Sequence, residues 1–132
     1  MEFRSSIPLY VQVITDMKKK IINGHLPPGT KLPSTRELAQ SYQINPNTAQ
    51  RIYNEMETQG LTFTRRGIGT FVTEEAARLE SLKSEMAGLL LRDLVRELKD
   101  IGFTKQELLD AVALSYEAEM ISSRPPENQK QL

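Results

Sequence analysis

The sequence predicts a mostly helical protein with one small β-hairpin, its helices grouped in two parts. Three observations predict this. Two helix-start signals stand close together, Ser34-Thr35-Arg36-Glu37 and Asn45-Pro46-Asn47-Thr48. A stretch with glycines near its tip, LTFTRRGIGTFV, follows them. Beyond Thr73, leucines recur at threes and fours until Gly102.

The first helix is expected over residues 8–23. Pro8 suits a first helical position, and Tyr10, Val13, Ile14, Met17 and Ile21 share one face. Lys18, Lys19 and Lys20 favour the C-terminal end, and Gly24 stops the helix. The following HLPPGTKLP cannot be helical, because proline removes a donor and disfavours helix in the residue before it. Ser34 and Glu37 form a capping box that opens a second helix burying Leu38, Ala39 and Tyr42. Asn45 caps a third, with Pro46 at its first position and Gly60 at its end. Ala49, Ile52, Tyr53 and Met56 form its inward stripe, which leaves Asn47, Arg51 and Asn54 opposite and Thr48 and Gln50 on the flanks.

Residues 61–65 and 70–72 read as strands around the tip Arg66-Gly67-Ile68-Gly69, whose glycines permit turn conformations. Thr73-Glu74-Glu75 reads as the start of a long helix with Leu79, Leu82, Met86, Leu89, Leu90, Leu94, Leu98 and Ile101 on its apolar side. Thr104 and Glu107 form another capping box, for a last helix with Leu108, Leu109, Val112, Ala113, Tyr116 and Met120 inward. The expected domains are therefore 1–73, a winged helix-turn-helix, and 74–121, a two-helix dimerisation domain, with a polar, disordered tail over 122–132.

Composition narrows the function classes. No apolar run approaches the roughly 20 residues of a membrane span, and the N-terminus lacks a signal peptide's apolar stretch. The absence of cysteine excludes disulfides and thiolate chemistry and suits a reducing cytosol. The lone His25 lies in a proline-rich loop without a catalytic partner, so neither an enzyme nor a metal or cofactor site is expected. The wing glycines lack the spacing and following helix of a phosphate cradle. Net charge is zero, yet residues 1–73 carry nine basic and five acidic groups, whereas 74–132 carry eight and twelve. That asymmetry fits a DNA-facing first half, although scattered surface charge would look the same.

The third helix concentrates base- and phosphate-pairing side chains at its N-terminal turns: Asn45, Asn47, Thr48, Gln50 and Arg51. A merely solvated face accounts for the same residues. The adjoining wing favours DNA, because Arg65, Arg66 and Gly67 suit phosphate contact or insertion into the minor groove. Ser34, Thr35 and Arg36 open the second helix at the expected groove edge; for Arg36 an intrahelical ion pair is the alternative.

Residues 8–72 resemble the DNA-binding domain of GntR-type bacterial transcription regulators. The resemblance runs through Pro8-Leu9-Tyr10, Ile22-Asn23-Gly24, Pro28-Gly29, residues 32–39, Asn45-Pro46-Asn47-Thr48, Met56-Glu57, Gly60-Leu61 and residues 67–72. The short two-helix tail is similar to the YtrA-like subfamily, since there is no room for a larger effector domain. The resemblance implies a cytoplasmic bacterial repressor of a neighbouring transporter operon. It places Arg36, Asn45, Asn47 and Gln50 at operator contacts and Arg66 and Gly67 at the wing tip. Many members carry arginine where this chain has Pro46, so operator sequence does not carry over from other branches.

The two C-terminal helices cannot bury both apolar faces against so small a winged domain. Leu82, Met86, Leu89, Leu90, Leu94, Leu98, Leu109, Val112 and Tyr116 are therefore expected to pair with a second copy in a two-fold dimer. Such a dimer implies a palindromic double-stranded DNA operator. An unidentified small-molecule effector is compatible with this reading, although nothing polar converges between these helices in the sequence. The competing reading is a winged-helix protein-interaction module without specific DNA binding.

Overall fold

The computed structural model describes residues 6–122, so the expected disordered tail lies outside the described residues from Ser123 onward. Its elements are α1 (Leu9–Ile22), α2 (Thr35–Tyr42), α3 (Pro46–Thr58), β1 (Thr62–Arg65), β2 (Gly69–Val72), α4 (Ala76–Asp100) and α5 (Lys105–Ser122). This is the mostly helical order expected, with one antiparallel hairpin after three helices. Two compact units divide after Met86, later than the boundary expected at Thr73. The first turns of α4 belong to the first unit.

The core of the first unit follows from helical periodicity. Val13, Ile14, Met17 and Ile21 from α1, Leu38 and Ala39 from α2, and Ala49, Ile52, Tyr53 and Met56 from α3 are all buried together. Tyr42 is half-buried at the edge of this cluster. The predicted caps of α2 and α3 both form. Ser34 Oγ accepts from the Glu37 amide at 3.1 Å while Glu37 Oε1 accepts from the Ser34 amide at 3.0 Å. The bond from the Ser34 amide, with a smaller contribution from the Ser34 hydroxyl, holds the exposed Glu37 carboxyl below the usual carboxylate range. Asn45 Oδ1 accepts from the Asn47 amide at 2.7 Å, and Pro46 occupies the first turn. Pro8, by contrast, precedes the first helix as its cap residue rather than entering it.

The α2–α3 connection turns at Gln43, the one non-glycine residue with positive φ (54°) among the described residues. Its left-handed conformation lets the Ile44 amide donate back to Ala39 at 2.9 Å and end α2 within one turn. Sequence pattern does not reveal this, because glycine or asparagine is the usual residue there.

The hairpin pairs Phe63 with Phe71 and Arg65 with Gly69. Gly67 takes φ +78° and lets the Ile68 amide reach the Arg65 carbonyl at 2.9 Å. The proline-rich segment before α2, excluded from helix by the sequence, supplies an unanticipated third edge. Lys31 bridges Phe71, with Leu32 donating to Thr70 and Val72 donating to Thr30.

Thr73 does not cap α4. It is buried, its hydroxyl accepts from the Glu75 amide at 3.2 Å, and the helix begins at Ala76, so neither Glu74 nor Glu75 lies within the first turn. Leu82 is 1% exposed in the first unit's core, with Leu79 and Met86 packed against it. This corrects the assignment of Leu82 to a surface for a second copy, and Met86 is largely spent in the same way. The reason is local: β2 leads directly into α4, which covers the open side of the small three-helix core.

In the second unit no described residue is buried. Thr104 and Glu107 form the predicted capping box, each amide bonded to the other side chain at 3.1 Å. The expected inward face of α5 nevertheless stays open. Leu109, Val112, Tyr116 and Met120 are exposed, as are Leu89, Leu90 and Leu94 of α4. Among the described residues of this unit, α4 and α5 leave these faces uncovered.

Leu82→Ala should destabilise the first unit by about 2–5 kcal/mol, because it empties a site with no solvent access. Chemical denaturation followed by circular dichroism measures this, and a loss under about 1 kcal/mol would contradict the burial of Leu82.

Candidate nucleic-acid interface

The inward stripe of α3 turns Asn47, Gln50, Arg51 and Asn54 to the exterior, and all four are exposed. Tyr53 locks the helix from behind: its hydroxyl donates to the Pro33 carbonyl at 2.5 Å, and burial pushes its pKa well above the usual tyrosine value. Arg78 secures the other end. Its Nε donates to the carbonyl of Gln59, the α3 cap residue, at 2.7 Å, and its Nη1 lies 3.3 Å from Glu85 Oε1. A cation at a helix C-terminus suits the helix dipole.

The expected contact residues divide by what holds them. Ser34 and Asn45 spend a side-chain oxygen on capping, which leaves the Asn45 amide nitrogen free to donate. Thr35 Oγ1 donates to Gln50 Oε1 at 3.1 Å, and Gln50 Nε2 donates to Asn54 Oδ1 at 2.9 Å. The Arg51 guanidinium lies 3.9 Å from the centre of the Tyr10 ring, so α1 fixes its direction by a cation–π contact. Arg36 is exposed and forms no ion pair among the described residues, which removes the intrahelical alternative. Asn47 is exposed and Thr48 half-exposed beside it.

On the wing, Arg65 stacks at 5.7 Å over Phe63, which itself stacks on Phe71 at 5.5 Å. Arg66 and Gly67 stand exposed at the turn. The structure adds a cation that sequence pattern does not single out. The Lys31 side chain reaches the tip end of β2, where a Cβ on Gly69 would lie 2.8 Å from its Cε. Only the strand-like pairing of residues 29–32 with β2 brings it there; the sole hint in the chain is a lysine just before a cap. Asn54 is the other addition, and its place on the outward face was already visible in the periodicity.

Within the second unit, Arg92, Arg96 and Lys99 line a cavity of about 440 Å³ with Leu91, Val95 and Asp100. All six residues belong to α4, so these groups share one helix face rather than lying between α4 and α5. The spacing i, i+4, i+7 along α4 places the three cations on one face.

A clasp of α1 and α2 supports the scaffold. Tyr42 Oη donates to Asp16 Oδ2 at 2.6 Å, and Lys20 Nζ lies 3.1 Å from both the Tyr42 hydroxyl and the same carboxylate. Partial burial pushes the Asp16 carboxyl up, but the bonds from Tyr42 and Lys20 and the Lys20 charge outweigh it, so its pKa falls below 3.8.

YhcF of Bacillus subtilis (strain 168), described as an uncharacterized HTH-type transcriptional regulator, is 41% identical over 111 residues, 84% of this chain and 92% of its own. Residues 9–72 match the family described as bacterial regulatory proteins, gntR family. This chain belongs to the GntR family. The HTH-type transcriptional repressor YtrA of the same organism is 39% identical over 94 residues, covering 67% of this chain and 72% of YtrA. A solved GntR family transcriptional regulator from Listeria monocytogenes aligns with a TM-score of 0.81 at 34% identity, over 84% of this chain and 97% of that one. The YtrA-like, short-tailed GntR type expected from the motifs thus holds, and with it the class: a DNA-binding transcription regulator, not an enzyme. Among the described residues no helix is long and apolar enough to cross a membrane.

Because the folded pKa of Asp16 is depressed, its contribution to stability is present above about the ordinary carboxylate value and is lost as pH falls through the folded value. Denaturation midpoints taken from about pH 5 to about pH 2 should fall more steeply for the wild type than for Asp16→Asn, by under about 1 kcal/mol for so exposed a pair. Equal slopes would show that the clasp contributes nothing.

Proposed function

We propose that this GntR-family regulator is a homodimeric repressor that binds a palindromic operator in the bacterial cytoplasm, controlling a neighbouring transporter operon. The observation that carries the DNA-reading part is the outward face of α3, where Asn47, Gln50 and Arg51 are exposed together on a helix anchored at both ends. In this reading α3 enters the major groove, with Asn47 and Gln50 reading base edges. Arg36, Arg51, Thr48 and the amide of Asn45 hold phosphates at the groove edge, while Arg65 and Arg66 meet the backbone or the adjacent minor groove.

The homodimer is supported by the exposed leucines of the second unit. Leu90 is 70% exposed and Tyr116 67%, and Leu89, Leu94, Leu109 and Val112 add to the same uncovered apolar surface. Leu98 is half-buried and borders it. A second copy covers these faces with identical faces, and the two-fold axis repeats α3 at a spacing matched by a palindrome. The cavity lined by Arg92, Arg96 and Lys99 is where an anionic effector would bind in this reading.

The decisive experiment selects bound duplexes from a randomised DNA pool and titrates the selected duplex with variants. Gln50→Ala should relax preference at one position in each half-site and cost about 1–3 kcal/mol. Arg66→Ala should weaken all sequences alike and lower the salt slope by about one. Unchanged preference with Gln50→Ala would remove α3 from base reading. For assembly, Leu90→Glu should convert a dimer to a monomer in light scattering, with the first unit still folded. A wild-type chain that is monomeric at micromolar concentration would reject the dimer.

A further inference from the structure

The line of hydrogen bonds from Thr35 through Gln50 to Asn54 limits what Gln50 can offer a partner. A primary amide has four hydrogen-bonding positions, two lone pairs and two N–H groups. Thr35 occupies one lone pair of Gln50, and Asn54 occupies one N–H. One acceptor position and one donor position of the amide remain for a partner. Turning both amides over changes nothing in this count, since the hydroxyl would then accept and Asn54 would donate.

We propose that Thr35 and Asn54 are positioning residues that hold the Gln50 amide for adenine. In the major groove adenine alone presents an acceptor, N7, beside a donor, the N6 amino group. Guanine presents two acceptors, thymine one acceptor and a methyl, and cytosine a single donor. The held amide therefore completes two bonds with adenine and at most one with any other base. Free of its neighbours, the same amide could rotate and offer guanine a shared donor. Thr35 is the first residue of α2, inside the Ser34–Glu37 capping box, so the cap of one helix fixes the reading edge of the next. Asn54 spends one lone pair of its carbonyl oxygen on Gln50. The inference rests on α3 being the base-reading helix.

The test uses the full-length chain and the duplex selected from the randomised pool, read by fluorescence anisotropy. One position in each half-site should be adenine and should be the position that Gln50→Ala relaxes. Replacing that adenine by 7-deazaadenine, which lacks the N7 acceptor, or by purine, which lacks the amino group, should each weaken wild-type binding roughly tenfold. Thr35→Val and Asn54→Ala should shrink the preference for adenine over guanine at that position to about threefold or less, whereas Thr35→Ser should retain it. Circular dichroism and the denaturation midpoint should stay at the wild-type level in all three variants, which separates release of the Gln50 amide from a loss of fold. An adenine-to-guanine ratio unchanged by both Thr35→Val and Asn54→Ala would overturn the proposal, as would a Gln50-dependent position that is not adenine. Insensitivity of every position to Gln50→Ala would instead sink the reading of α3 itself, together with this inference.

Discussion

Burial of one stripe of α3 governs the rest of the first unit. Ala49, Ile52, Tyr53 and Met56 leave water together, packed with apolar faces of α1 and α2. A helix that buries one stripe must expose the opposite one, since 3.6 residues complete each turn. Packing and display are therefore one constraint. Any substitution that let α3 rotate to bury different residues would also carry Asn47, Gln50 and Arg51 off the outward face.

That constraint would leave α3 free to slide along its axis were its ends not held. Asn45 satisfies an otherwise unpaired amide at one end, and Arg78 meets a terminal carbonyl at the other. The Arg78 contact also explains why the first unit extends past the wing. Leu79, Leu82 and Met86 follow Arg78 at helical spacing and complete the core that three short helices leave open. Further along the same helix Leu89, Leu90 and Leu94 are exposed, so one apolar stripe is buried in one part and open in the next.

The exposed polar residues are not uniformly free. Arg51 lies on Tyr10, Arg65 on Phe63, and Gln50 between Thr35 and Asn54, so each keeps fewer orientations than a solvated side chain would. Restriction of this kind lowers the conformational entropy lost when a contact with another molecule forms. Arg36 and Arg66 lack such partners among the described residues, which suits point-charge contact better than recognition of a particular edge.

The sequence by itself determined the elements, the caps of α2, α3 and α5 and the stripe of α3, because each depends on residues within four positions of one another. Ser34 with Glu37, Asn45 with Pro46, and the turn at Gly67 are local chemistry and were legible in order. The outward candidates on α3 were legible for the same reason. Tertiary structure alone decided which partner each long stripe meets. Leu82 and Leu90 share a helix and a residue type, yet one is buried at 1% exposure and the other stands 70% exposed. It also decided that Lys31 joins the wing, that Gln43 turns left-handed, and that Thr35 and Gln50, 15 positions apart, share a hydrogen bond. Contacts of this range depend on where the chain returns, and periodicity carries no information about that.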